Sequence, residues 1–153
     1  VSELDTVDRT LLRLLQKDGR MPISRLASAV SLSETPCWRR IKRLEKEGYI
    51  QGCSVRIDRR KVGYDLIVFV HLAVNIHTVE ATRDLESRIL ACGRVLQFHN
   101  VSGSHDFLLQ IVARNLEDYS RFVEAELRVI PYVTDIHSMF SLREIGGVLD
   151  LPI

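Results

Sequence analysis

Two stretches of this 153-residue chain have the residue types for chemistry. The first is Trp38-Arg39-Arg40-Ile41-Lys42-Arg43-Leu44-Glu45-Lys46, with five Lys/Arg in nine residues on a chain of formal net charge +1. A near-neutral protein that gathers its cations on one segment is equipped to hold a polyanion, and a nucleic-acid backbone is the usual one. The second is His99, Ser102, Ser104, His105 and Asp106, which supplies every residue type of a hydrolytic triad. That set lacks the strand–elbow–helix setting of a nucleophile, and neighbouring strand residues point to opposite faces. No catalytic residue is therefore assigned. His99, His105 and His137 are possible imidazole ligands, yet their spacing matches no metal motif, so no metal is expected. Cys37, Cys53 and Cys92 are odd in number and form no CxxC, which argues against a disulfide framework or structural zinc and favours a reducing cytoplasm.

The composition is that of a folded protein, 46% hydrophobic and 27% charged. The longest apolar run, Leu66 to Val70, is too short to span a bilayer, and no segment has the order of a secretory signal. No membrane partner is expected. Charge divides the chain: residues 1–64 hold 14 Lys/Arg against 8 Asp/Glu, and residues 65–153 hold 7 against 12. Two halves of opposite sign point to two domains with different partners.

The elements that position the basic stretch read as three helices. Asp5 caps a first helix with Leu11, Leu14 and Leu15 as its stripe, ended by Asp18-Gly19. Pro22 opens a short second helix with Ile23, Leu26, Ala27 and Val30 on one side. Ser31-Leu32 is a tight connection, and Ser33 caps a third helix in whose first turn Pro36 is tolerated. On that helix Cys37, Ile41 and Leu44 face the core, with Trp38 expected to plug it. Thr35, Arg39, Lys42, Arg43 and Lys46 fall opposite, and Arg40 lies toward the flank. Helix, tight turn, then a basic helix is the arrangement that enters a DNA major groove. Ser33, Thr35, Arg39 and Arg40 are expected nearest the base edges, with Lys42, Arg43 and Lys46 on phosphates. Gly48 ends the helix. Cys53, Val55 and Ile57 then alternate with polar residues as a short wing-like strand, and Arg59-Arg60-Lys61 reads equally as a DNA-backbone contact or a solvated linker.

The second half reads as β-α-β-β-α-β. Leu66–Val74 is a strand, Thr78 caps a helix bearing Thr82, Leu85, Ile89 and Cys92, and 94–102 pairs with Phe107–Ala113 through a hairpin at Gly103-Ser104-His105-Asp106. Asn115 caps a further helix that runs to Pro131, and Val133–Leu142 is the last strand. This order is ferredoxin-like. The first strand is apolar on both faces, with Ile67, Phe69 and Ala73 on the side away from the helices. A second copy of the sheet is the simplest cover, so a homodimer is expected.

With those residues placed, the chain resembles the Lrp/AsnC (leucine-responsive/asparagine-regulator) family of bacterial and archaeal transcription regulators. The resemblance rests on Leu4-Asp5, Asp8-Arg9 and Leu11-Leu12, on Ser33-Glu34-Thr35-Pro36-Cys37-Trp38-Arg39-Arg40-Ile41-Lys42-Arg43-Leu44-Glu45, on Gly48-Tyr49-Ile50, and on Gly103-Ser104-His105-Asp106. It implies an α+β protein: a winged helix-turn-helix domain (1–52), a strand-containing linker (53–64) and a ferredoxin-like effector-binding and oligomerisation domain (65–153). It implies a cytoplasmic, nucleoid-associated regulator of amino-acid metabolism that binds double-stranded DNA. It further implies dimers that build tetramers or octamers, and no cofactor beyond a small effector, usually an amino acid, held between dimers. Carried over by position, the effector residues are Val101, Gly103, His105, Asp106, Ile136 and Ser138. His105 stands where an aromatic is common, and Ile136 and Ser138 stand where the family often has two threonines. The alternative is an amino-acid-sensing or assembly module without DNA binding; the basic outer face of the third helix argues against it.

Overall fold

Local signals at the start of the chain are met by hydrogen bonds in the computed structural model, which describes residues 3–146 and 151–153. Helix α1 spans Thr6–Lys17, and Asp5 and Asp8 form a reciprocal capping box at its N-terminus. α2 is Ile23–Ala29, opened by Pro22. The connection then turns through Ser31 at φ 55, a left-handed conformation that a serine adopts at a cost. α3 is Glu34–Lys46. Ser33 occupies its N-cap position, but its side chain makes no capping hydrogen bond, contrary to expectation. At the other end Gly48 has φ 81 while the Tyr49 and Gly48 amides donate to the Leu44 and Glu45 carbonyls. That pairing closes the helix as a Schellman motif, and only glycine takes its left-handed position without strain.

These helices bury Leu11, Leu26, Ala27 and Cys37 together. Each leucine so buried contributes about 1.5–3 kcal/mol. The wing-like strand is not formed. Residues 51–58 carry no regular structure, and Val55 and Ile57 are 68% and 70% exposed. A lone strand has no ladder to satisfy its amides, and alternation in sequence cannot supply the partner.

The chain divides into two compact units, Val1–Arg56 with Gly146–Ile153, and Ile57–Ile145. The first thus gains the C-terminal segment that the sequence reading left with the second domain. In the second unit β1 (Leu66–Val74), α4 (Val79–Ala91), β2 (Val95–Asn100), β3 (Phe107–Ala113), α5 (Leu116–Phe122) and β4 (Val133–Phe140) follow the expected order. A π-helical turn, Val123–Leu127, extends α5. The sheet runs β2-β3-β1-β4 with every pair antiparallel. Val68, Val70 and Leu72 of β1, with Leu109 and Ile111 of β3, pack under Leu85 and Ile89 of α4 and Tyr119 and Phe122 of α5. On the opposite face β1 presents Phe69 and His71, whose register partners are Gln110 and Met139, and Leu108 and His137. Met139 there is 43% exposed.

Candidate nucleic-acid interface and effector site

α3 presents the basic surface, and its cations fall into two groups by what they touch. Ser33, Thr35, Arg39, Lys42 and Lys46 are exposed. Lys42 bridges Glu45 at 2.6 Å, a pair of the solvated kind that yields readily to a stronger anion. Arg39 and Lys46 make no ion pair among the described residues. Arg40 and Arg43 are different. Asp8 is fully buried, and Arg40 reaches it at 3.0 Å and Asp5 at 2.5 Å, while the Arg43 Nη2 donates to the other Asp8 oxygen. The amide of Asp8 and the Arg40 guanidinium hold the Asp5 carboxyl below its usual range, and the two carboxylates raise Arg40. The capping box of α1 therefore doubles as a clamp on α3. Among the residues predicted to face DNA, these two arginines are committed first to positioning the helix.

Trp38 is 53% exposed rather than a core plug, with the Lys42 ammonium 6.0 Å from its ring centroid. Cys37 and Leu44 fill the core-facing positions instead, which rotates Trp38 outward. Arg59 of the basic run donates to the Tyr64 and Asp65 carbonyls and pairs with Glu144 at 2.6 Å, so it organises its own unit. Arg60 and Lys61 are exposed.

The hairpin residues carried over from the family share a locality, but their side chains do different work. Gly103 has φ 127, a conformation essentially reserved for glycine. The Asp106 carboxylate accepts from the Val74 amide at 2.8 Å, and its backbone amide and carbonyl bond to the Leu72 carbonyl and the Val101 amide. Asp106 thus ties the hairpin to β1. His105 lies beside Ser104, Nδ1 to Oγ 3.0 Å, with Nε2 3.6 Å from Asp135. Its ring is 5.3 Å from His71 and 6.1 Å from His137, centroid to centroid. His71 was missed by sequence reasoning because cross-strand register, not spacing along the chain, brings it opposite His137. Among the described residues no three His, Cys, Asp or Glu side chains are arranged to hold a metal ion.

Ile136 and Ser138 of β4 sit opposite Leu72 and Val70 and so point to the helix side of the sheet. Ser138 Oγ is 2.5 Å from the Tyr119 hydroxyl, whose pKa burial raises. Ile136 borders a cleft of about 320 Å³ together with Arg128, Thr134 and Asp135. Asp106 with His105, and Ile136 with Ser138, are therefore two groups on different faces. The hydrolytic set does not assemble through Asp106 either, whose carboxylate is taken by the Val74 amide.

Comparison with known proteins places this geometry. Residues 67–146 match the family profile described as the Lrp/AsnC ligand binding domain, and residues 4–51 match that of a winged helix-turn-helix DNA-binding domain. The chain is 33% identical over 150 residues to the DNA-binding transcriptional activator DecR of Escherichia coli, covering 98% of this chain and 99% of that one. It is 35% identical over 151 residues to the leucine-responsive regulatory protein of Rhizobium meliloti, covering 99% and 97%. Its structure is similar to that of a transcriptional regulator from Neisseria meningitidis solved in complex with L-Met, with a TM-score of 0.94, 30% identity, and coverage of 98% and 97%. A basic helix held by a helix-turn-helix core, a four-stranded antiparallel sheet under two helices, and likeness along nearly the whole length agree: the chain belongs to the Lrp/AsnC family of DNA-binding transcriptional regulators.

Proposed function

We propose that the protein is a cytoplasmic regulator that binds operator DNA as a homodimer or larger assembly and responds to an amino acid. The observation that carries the reading is the outer face of α3, where Arg39, Lys42 and Lys46 stand exposed beside Thr35 and Ser33. In a major groove, Ser33, Thr35 and Arg39 reach base edges, and Lys42 and Lys46 hold phosphates. Arg40 and Arg43 contribute from their ion pairs, as fixed positive charge rather than mobile contacts. The partly exposed sheet face around Phe69 and Met139 supports pairing with a second copy, and so do the unpartnered Val55 and Ile57. Two copies would present two α3 helices to the half-sites of a pseudo-palindrome. Light scattering is expected to give a multiple of 17.5 kDa, and a monomer at micromolar concentration would refute the assembly.

An amino-acid effector is supported by the L-Met complex of the similar Neisseria regulator and by the groups this chain offers. Val101, Gly103, His105 and Asp106 supply the hairpin side. Ile136, on the other face of the sheet, borders a second cleft whose Arg128 and Asp135 are able to meet a carboxylate and an ammonium group. The DNA reading is tested by fluorescence anisotropy with a genomic operator fragment over a range of salt. Affinity is expected to fall steeply as salt rises; Arg39→Ala costs about tenfold or more, and Lys46→Ala lowers the salt slope by about one. Binding that ignores both salt and these substitutions sinks the assignment of α3.

A further inference from the structure

The helix-turn-helix unit carries an apolar cavity of about 840 Å³ on the side of its helices formed by Leu12, Leu15, Ile23, Ile41 and Ile50. Neither DNA contact nor the ion-pair clamp accounts for it. Its remaining wall comes from far along the chain, since Leu151 and Ile153 also line it. Polar contacts fix that segment to one face of α1. The Gln16 carboxamide accepts from the Leu151 amide at 2.7 Å and donates to the Leu151 carbonyl at 3.3 Å. One turn earlier, the Arg13 Nε donates to the Ile153 carbonyl oxygen. The Ile153 amide in turn donates to the Leu151 carbonyl at 2.9 Å, closing a three-residue γ-turn about Pro152. Proline holds its own φ and biases the residue before it toward extended backbone, so less chain entropy is lost when this turn docks.

We propose that the face of α1 beside this groove is a peptide-docking site whose ligand is the chain's own Leu151-Pro152-Ile153 turn, a latch that closes one wall of the groove and completes the helix-turn-helix unit. Recognition is chiefly of backbone. Gln16 satisfies both main-chain groups of Leu151, whose side chain remains 68% exposed, while Ile153 is the half-buried apolar anchor. The chain consequently enters the helix-turn-helix unit twice, once from its start through Arg56 and again after β4 from Gly146 onward. The last sheet strand, which carries Ile136 and Ser138, is joined by a short run of chain to a turn anchored on α1. A change in the sheet unit then has a second covalent route to the helices that present α3.

Hydrogen exchange read by mass spectrometry on the full chain tests the latch without DNA or effector. Ile153→Asp and, separately, Gln16→Ala are expected to raise exchange of the amides at 12–17 and 49–53 about tenfold, with β1 and β3 unchanged as internal control. Leu151→Ala should leave exchange within about twofold of the parent, because the clamp on its main chain survives. Unaltered exchange at 12–17 in both Ile153→Asp and Gln16→Ala overturns the proposal. So does a uniform rise across both units in Ile153→Asp with no effect of Gln16→Ala, which would mark general destabilisation rather than loss of a latch.

Discussion

Asp8 shows how one buried carboxylate decides what its neighbours are free to do. It lies at the start of α1, caps that helix through its reciprocal pair with Asp5, and receives Arg40 and Arg43 from α3. A buried charge is stable only when paired, so removing either arginine exposes Asp8 to an unmet desolvation cost. Arg43→Ala is therefore expected to lower the stability of the helix-turn-helix unit by about 1–3 kcal/mol in urea denaturation. Arg39→Ala, at an exposed position with no ion pair among the described residues, should leave the same curve within about 0.5 kcal/mol. Equal destabilisation by the two would show that the clamp is not structural. The types and spacing in sequence identified the basic face, but not this division of labour. Helical periodicity assigns an angle around an axis, whereas Arg40 and Arg43 are long enough to reach back from that angle to a carboxylate on another helix.

Among the elements, α5 owes its position to Asp118 as much as to its apolar face. Asn115 caps the helix by accepting from the Asp118 amide at 2.8 Å. The Asp118 carboxylate then takes two Arg94 nitrogens, at 2.5 and 2.9 Å, and the Arg114 amide at 2.9 Å. Those partners, Arg94 first, hold its pKa at about 2 against an ordinary 3.8. A carboxylate depressed in the folded state adds stability that is full above its unfolded value and is lost as pH falls from there toward the folded one. Stability attributable to Asp118 is thus present at neutral pH and disappears between roughly pH 4 and pH 2. Asp118→Asn should flatten that part of an acid-unfolding curve followed by circular dichroism and lower stability at pH 7; an unchanged acid limb would count against the network. The caps Asp5, Thr78 and Asn115 were legible because a capping residue acts within three or four positions of itself. The wing-like strand was not a strand and Trp38 was not in the core, because both depend on what lies across space.

For the whole molecule, the opposite charges of the two halves correspond to two units with separate cores, the first built from residues that the periodicity named. What stayed hidden was the path of the chain, since nothing in the spacing of residues 146–153 announces which unit they join. A thermal-shift series with the twenty amino acids at millimolar concentration is expected to show at least one that raises the midpoint, because ligand held only by the folded state stabilises it by mass action. No shift with any of them would remove the amino-acid effector. Trp38 is the sole tryptophan of the chain, and it sits half in solvent on α3, the helix proposed to enter DNA, with a lysine over its ring. If α3 enters DNA as proposed, its emission is an intrinsic optical reporter of operator occupancy. Titration with unlabelled duplex should quench or shift the fluorescence of the native protein in step with binding, so the association can be timed without attaching a dye.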